Sequence, residues 1–72
     1  DMTGLMQRYP QLLGIGIDEG TALAVRGSTA QIVGRGSAFF YDYRTGAPAG
    51  PHDYRALAAG QSYDLHTRQP LP

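Results

Sequence analysis

The 72 residues include no cysteine, no lysine and no tryptophan, and Glu19 is the only glutamate. Without cysteine there is no disulfide to staple a small core and no Cys-based zinc site. The absence leaves the cellular compartment open. Without lysine, the positive charge rests on six arginines, and these are balanced by six carboxylates. A neutral chain has no electrostatic drive toward nucleic acid or an anionic membrane surface. Arg8, Arg26, Arg35, Arg44, Arg55 and Arg68 are also spread along the chain rather than gathered into a patch. No run approaches the roughly 20 apolar residues of a membrane helix. No charged segment followed by an apolar core marks a signal peptide. A chain of this length buries only about 60% of its unfolded surface, so its core is marginal without outside help.

The residues that are present divide into short elements. Met2, Leu5, Met6 and Tyr9 recur at spacings of three and four, which predicts a helical stripe with Asp1 as its cap candidate. Pro10 disfavours helical geometry at Tyr9 and ends the helix there. Leu12 to Ile17 is a short apolar run interrupted by Gly14 and Gly16. It predicts a strand buried on both faces, of the kind found inside a parallel sheet. Asp18, Glu19 and Gly20 close that strand, so two carboxylates are expected at its C-terminal edge, where α/β sheets gather catalytic groups.

Thr21 to Arg26 and Thr29 to Gly34 alternate on either side of Gly27-Ser28 and predict a hairpin. Gly34 and Gly36 permit a bend, and the aromatic stretch Ser37 to Tyr43 predicts a third strand. Glycine and proline mark Thr45 to Asp53 as a loop. Tyr54 to Ala59 is ambiguous between a helical turn and an extended segment. Ser62 to Arg68 alternates and predicts a terminal edge strand, with Gln69 to Pro72 as a tail. Too little of the chain remains to cover both faces of Leu12 to Ile17. That shortage points to a segment of a larger domain.

No complete site is legible. His52 and His66 lack ligand-spaced partners, so no metal site is expected. Gly14-Ile15-Gly16 lacks the third glycine and the following helix of a dinucleotide fingerprint, and no cofactor is expected. Ser28, Ser37 and Ser62 lie outside any Gly-x-Ser-x-Gly turn, and Asp1 excludes an N-terminal nucleophile at that position. An acidic pair such as Asp18-Glu19 after a strand serves either as turn chemistry or as a catalytic carboxylate.

The block Tyr9-Pro10-Gln11-Leu12-Leu13-Gly14-Ile15-Gly16-Ile17-Asp18-Glu19-Gly20-Thr21-Ala22-Leu23 resembles the C-terminal region of cyanophycinases and related serine peptidases. Those proteins carry a helix ending in an x-Pro turn, then a Gly-x-Gly-Ile-Asp-Glu-x-Thr-Ala strand, a hairpin and an aromatic strand. Ala59 to Arg68 also resembles their closing Gly-x-x-Phe/Tyr-Asp-Leu strand.

The resemblance implies an α/β fold. Residues 1–72 would be the C-terminal segment of a single larger peptidase domain, not an independent one. That domain is a three-layer sandwich with a mostly parallel central sheet, of the class I glutamine amidotransferase-like kind. The fragment itself would be mostly β strands and hairpins plus a helix end. The resemblance also implies that Glu19 is the acid of a Ser-His-Glu triad acting on cyanophycin-like β-Asp-Arg peptides. The nucleophile elbow and the histidine segment of the family are not in this sequence. The implied partners are an N-terminal part carrying them and a peptide substrate, with a homodimer also compatible. Two rival readings are a non-catalytic member of the same fold, with a structural Glu19, and a small β-rich binding module presenting Tyr41, Tyr43, Tyr54 and Tyr63.

Overall fold

The computed structural model describes residues 1–72. Helix α1 spans Met2–Arg8. The Asp1 carboxylate accepts a hydrogen bond from the Gly4 N–H at 2.7 Å, satisfying one of the free donors of the first turn. Tyr9 is the C-cap, as Pro10 requires. Seven strands follow: β1 Leu13–Ile17, β2 Thr21–Arg26, β3 Thr29–Gly34, β4 Ser37–Asp42, β5 Arg55–Ala58, β6 Ser62–Asp64 and β7 Gln69–Pro70. They form two sheets, one in the order β1-β4-β5 and the other β2-β3-β6-β7. Every strand pairing is antiparallel.

This architecture overturns the expected parallel-sheet α/β sandwich fragment. The molecule is a small β-rich body with two antiparallel sheets and one short helix. The connections give the physical reason. Parallel neighbours need a crossover of a dozen or more residues, whereas β2 and β3 are joined by Gly27-Ser28 alone. β1 is an edge strand that pairs only with β4. Its glycines have a local cause. Gly14 lies opposite Tyr41 and Gly16 opposite Phe39, so bulky rings share that face. A Cβ at Gly14 would come within 2.8 Å of the Met6 sulfur and 3.0 Å of the Met2 sulfur. Helix α1 packs onto the bare backbone that glycine leaves. The apolar stripe of β1 is Leu13 and Ile15, which pack against the core, while Ile17 is half exposed.

The two sheets meet face to face. Ile32 from the second sheet packs with Ala38, Phe40 and Leu57 from the first, and Tyr63 closes the cluster. The Phe40 and Tyr63 rings stack across the interface with centroids 3.8 Å apart. Tyr54 to Ala59, ambiguous in the sequence, is extended and supplies β5. The expected terminal edge strand is shorter than anticipated. β6 ends at Asp64, whose carboxylate accepts the N–H groups of His66 and Thr67 and turns the chain. Arg68 adopts a left-handed φ of 59°, and the expected tail returns as β7. β6 therefore lies between β3 and β7.

Carboxylates tie the loops to this frame. Asp53 accepts hydrogen bonds from the Tyr43 hydroxyl and from Thr3 Oγ1, joining helix and loop. The Tyr43 bond, followed by that of Thr3, holds Asp53 below the usual carboxylate range. Backbone N–H groups of Thr67 and His66 do the same for Asp64. At Asp42 burial pushes upward. The backbone and side-chain bonds from Arg44 and the charges of Arg44 and Arg68 outweigh it, and the group is lowered.

Two outcomes follow from this frame. All three folded values lie below the unfolded value of about 3.9, so the stabilisation is complete above that value and is lost as pH falls through the lower folded values. Denaturation midpoints should therefore hold from neutrality to about pH 5 and drop below about pH 4. Asp42→Asn should remove part of that drop. The second outcome concerns Gly34, which has a φ of 112° and whose added Cβ would strike the Gly20 carbonyl oxygen. Gly34→Ala should cost more than about 2 kcal/mol in chemical denaturation. Gly27→Ala meets open space and carries only the left-handed penalty of about 1 kcal/mol.

Candidate functional site

Glu19 lies in the turn between β1 and β2, where the chain leaves the first sheet for the second. A change of sheet strands backbone groups that the strand ladders leave unpaired, so side chains and the neighbouring backbone must pair them. The return crossing, from β3 to β4 through Arg35 and Gly36, runs against the same place. The Ser37 N–H donates to Asp18 Oδ2 at 2.9 Å, and the Asp18 N–H donates to the Ser37 carbonyl at 3.0 Å. The Gly36 N–H donates to Thr21 Oγ1 at 3.0 Å, and the Arg35 N–H donates to the Gly20 carbonyl at 3.1 Å. The two bends thus brace each other.

Glycine makes that approach possible. A Cβ at Gly36 would lie 2.6 Å from the Asp18 Cβ. Gly20 has a φ of 73°, and an added Cβ would meet the Arg35 guanidinium at 2.7 Å. The Arg35 side chain therefore lies flat on the turn, next to the residue that carries the Glu19 carboxylate.

The acidic pair divides its duties. Asp18 is engaged with the backbone of the opposing bend. Glu19 is exposed and makes no hydrogen bond or ion pair within the chain. The histidines are placed elsewhere. His52 stacks on Tyr54 at 4.9 Å, and His66 is exposed on the turn after β6. Ser28 is exposed in the hairpin turn, Ser37 opens β4 and Ser62 opens β6. No hydrogen bond joins any serine to a histidine or either histidine to Glu19. The chain thus presents one carboxylate on a fixed turn rather than an assembled triad. No group of three His, Asp or Glu converges on a possible metal position, and no helix is long and apolar enough to cross a membrane.

Comparison of the chain with protein-family models, curated proteins and solved structures gives no match. The four tyrosines offered by the binding-module reading separate into two kinds. Tyr43 and Tyr63 are buried. Tyr41 and Tyr54 are half-buried and pack together with ring centroids 5.4 Å apart.

Sequence reasoning found the acidic pair and the bend at Gly34 and Gly36, but not that they touch. It also missed the pairing of Arg68 with Asp42 at 3.3 Å. The partners lie 26 residues apart, and no local signal connects them. The division of labour within the pair sets an expected outcome for stability. Asp18→Ala leaves the Ser37 N–H without its acceptor and should cost about 1 kcal/mol, a fall in Tm of several degrees. Glu19→Gln should leave Tm unchanged, because Glu19 has no partner to lose.

Proposed function

We propose that this chain supplies Glu19 as the acid of a Ser-His-Glu triad in a cyanophycinase-like serine peptidase that hydrolyses β-Asp-Arg or related peptides. The observation that carries the proposal is Glu19 itself, an exposed and unpartnered carboxylate on a turn held by the Asp18-Ser37 and Thr21-Gly36 hydrogen bonds. A carboxylate that orients a histidine needs a rigid base and a free acceptor face, and this turn provides both. The resemblance of Tyr9 to Leu23 to the cyanophycinase block supports the same assignment for the same residue.

β1 adds a second line of support. Its outer edge pairs with nothing, and the strand Leu-Gly-Ile-Gly-Ile carries no charge, proline or bulge to protect that edge. An extended segment laid along it would gain main-chain hydrogen bonds and run beside Glu19. The nucleophilic serine and the histidine come from outside these 72 residues, and such a segment is the means of bringing the histidine near. Glu19 then accepts the imidazole Nδ1–H at roughly 2.6–3.2 Å. This bond selects the tautomer whose free nitrogen takes the serine proton. It also stabilises the imidazolium formed during attack on the scissile carbonyl.

The test separates the two neighbouring carboxylates. In the assembled enzyme, Glu19→Gln keeps the shape but presents a neutral amide. Turnover of a β-aspartyl-arginine dipeptide should fall by a factor on the order of 10⁴. Asp18→Asn keeps a carbonyl acceptor for the Ser37 N–H and should change turnover little. Full activity in Glu19→Gln would defeat the triad assignment, and a dead Asp18→Asn beside an active Glu19→Gln would move the role to Asp18.

A further inference from the structure

The unpaired edge of β1 has a self-complementary sequence. Leu13-Gly14-Ile15-Gly16-Ile17 reads nearly the same in both directions, with apolar residues and glycine alternating about Ile15. The Asp18 N–H donates to the Ser37 carbonyl on the β4 side. Bonded residues alternate along an antiparallel ladder, so Gly14 and Gly16 also turn their backbone groups toward β4. Those of Leu13, Ile15 and Ile17 point outward, along the edge that pairs with nothing. No charge or proline stands between Gln11 and Ile17 to keep a further strand away.

Two observations indicate that this edge is covered. Four of the seven large hydrophobics left exposed, Leu5, Tyr9, Leu12 and Ile17, lie in α1, in β1 or in the link between them. The second observation is Gly16. Gly14 is required because the Met2 and Met6 sulfurs occupy the place of its side chain. The rings opposite Gly16 take up part of the room it leaves, yet a Cβ there would meet Phe39 and Tyr41 no closer than 4.0 Å, an ordinary contact. Its φ is not left-handed either. Glycine inside a strand weakens it and marks a place that another backbone or group approaches closely. Within the chain nothing makes that approach to Gly16.

We propose that β1 pairs with β1 of a second copy, antiparallel about a two-fold axis at Ile15, and that the β1-β4-β5 sheets of the two chains join into one six-stranded sheet. In this register Ile15 faces Ile15 of the second copy and Leu13 faces its Ile17, so every outward N–H and C=O of the strand is paired. A one-residue slip would set outward groups against groups already bonded to β4. The exposed Ile17 side chain comes to rest beside Leu13 of the second copy. Gly16 comes beside Gly14 of the second copy, next to the α1 that packs there, which explains the missing side chain. The ends are complementary in charge. Asp18 and Glu19 of one chain arrive at Leu12 and Gln11 of the other, where the Arg68 guanidinium holds the Gln11 carbonyl at 3.1 Å. The inference does not rest on the peptidase reading. The two occupants compete for one edge, since a chain paired with its copy cannot take a histidine-bearing segment beside Glu19.

Sedimentation velocity of the full chain over a concentration series should show the mass doubling from 7.7 kDa. Amide exchange checks the register. The amides of Leu13, Ile15 and Ile17 should gain protection as concentration rises, whereas β4 protects those of Gly14 and Gly16 throughout. Ile17→Lys sets an ammonium against Leu13 of the second copy and should raise the dimer dissociation constant by roughly tenfold or more. Ile17 is half exposed in the single chain, so the variant should keep its thermal transition. Val25→Lys, at a similarly exposed position on β2, should leave the dissociation constant unchanged. A chain that is monomeric at every concentration overturns the proposal and leaves the edge to a segment from elsewhere. So does a dimer in which the Leu13, Ile15 and Ile17 amides exchange freely, or one that Val25→Lys weakens as much as Ile17→Lys.

Discussion

The meeting of two bends, Asp18 to Thr21 and Gly34 to Ser37, is the constraint on which the rest of the molecule depends. The chain passes from the first sheet to the second at one bend and returns at the other. Neither passage can satisfy its own backbone through a ladder, so each satisfies the other. Asp18 and Thr21 present side-chain oxygens to the N–H groups of Ser37 and Gly36. The contact fixes the relation between the β1-β4 pair and the β2-β3 hairpin, and so determines which faces form the core. It also tolerates no side chain at Gly34 or Gly36, where a Cβ would overlap the opposing bend.

With the sheets pinned at this end, the core closes by aromatic stacking and the far end by charge. Phe40 and Tyr63 stack between the sheets, and aromatic side chains of this kind bury roughly 150–250 Å² each. Beyond them, Arg68 reaches from the β6-β7 turn to Asp42 on β4 and to the Gln11 carbonyl before β1. A half-exposed ion pair such as Arg44 with Asp42 adds little stability by itself. Its effect here is to hold a geometry.

The two ends of β4 therefore carry different chemistry. At one end an acidic residue stands free on a braced turn, and at the other Asp42 is engaged by two arginines. Beside Glu19, the neighbouring Asp18 is engaged with the backbone of the opposing bend. Rigid surroundings with one free functional group are what oriented recognition requires, since the group loses little freedom on engaging a partner.

Local order was legible in the sequence because local causes set it. Asp1 and Pro10 bound the helix, Gly27-Ser28 turns the hairpin, and alternation marks β2, β3 and β4. Each depends on backbone preferences acting within a few residues. The Asp18-Glu19 pair was legible for a similar reason, as acidic residues following an apolar strand, and the resemblance to the cyanophycinase block singled out Glu19 within it. Tertiary structure alone decided how the strands pair. The run Leu12 to Ile17 has the composition of a strand buried on both faces. Its glycines instead make room for Met2, Met6, Tyr41 and Phe39, and the strand lies at an antiparallel edge. Composition cannot distinguish these cases, because an apolar run reports that a strand is covered but not by what. Asp18 with Ser37, and Arg68 with Asp42, are likewise decided by the fold. Partners 19 and 26 residues apart leave no periodic trace, and only the crossing of the sheets brings them within hydrogen-bond reach.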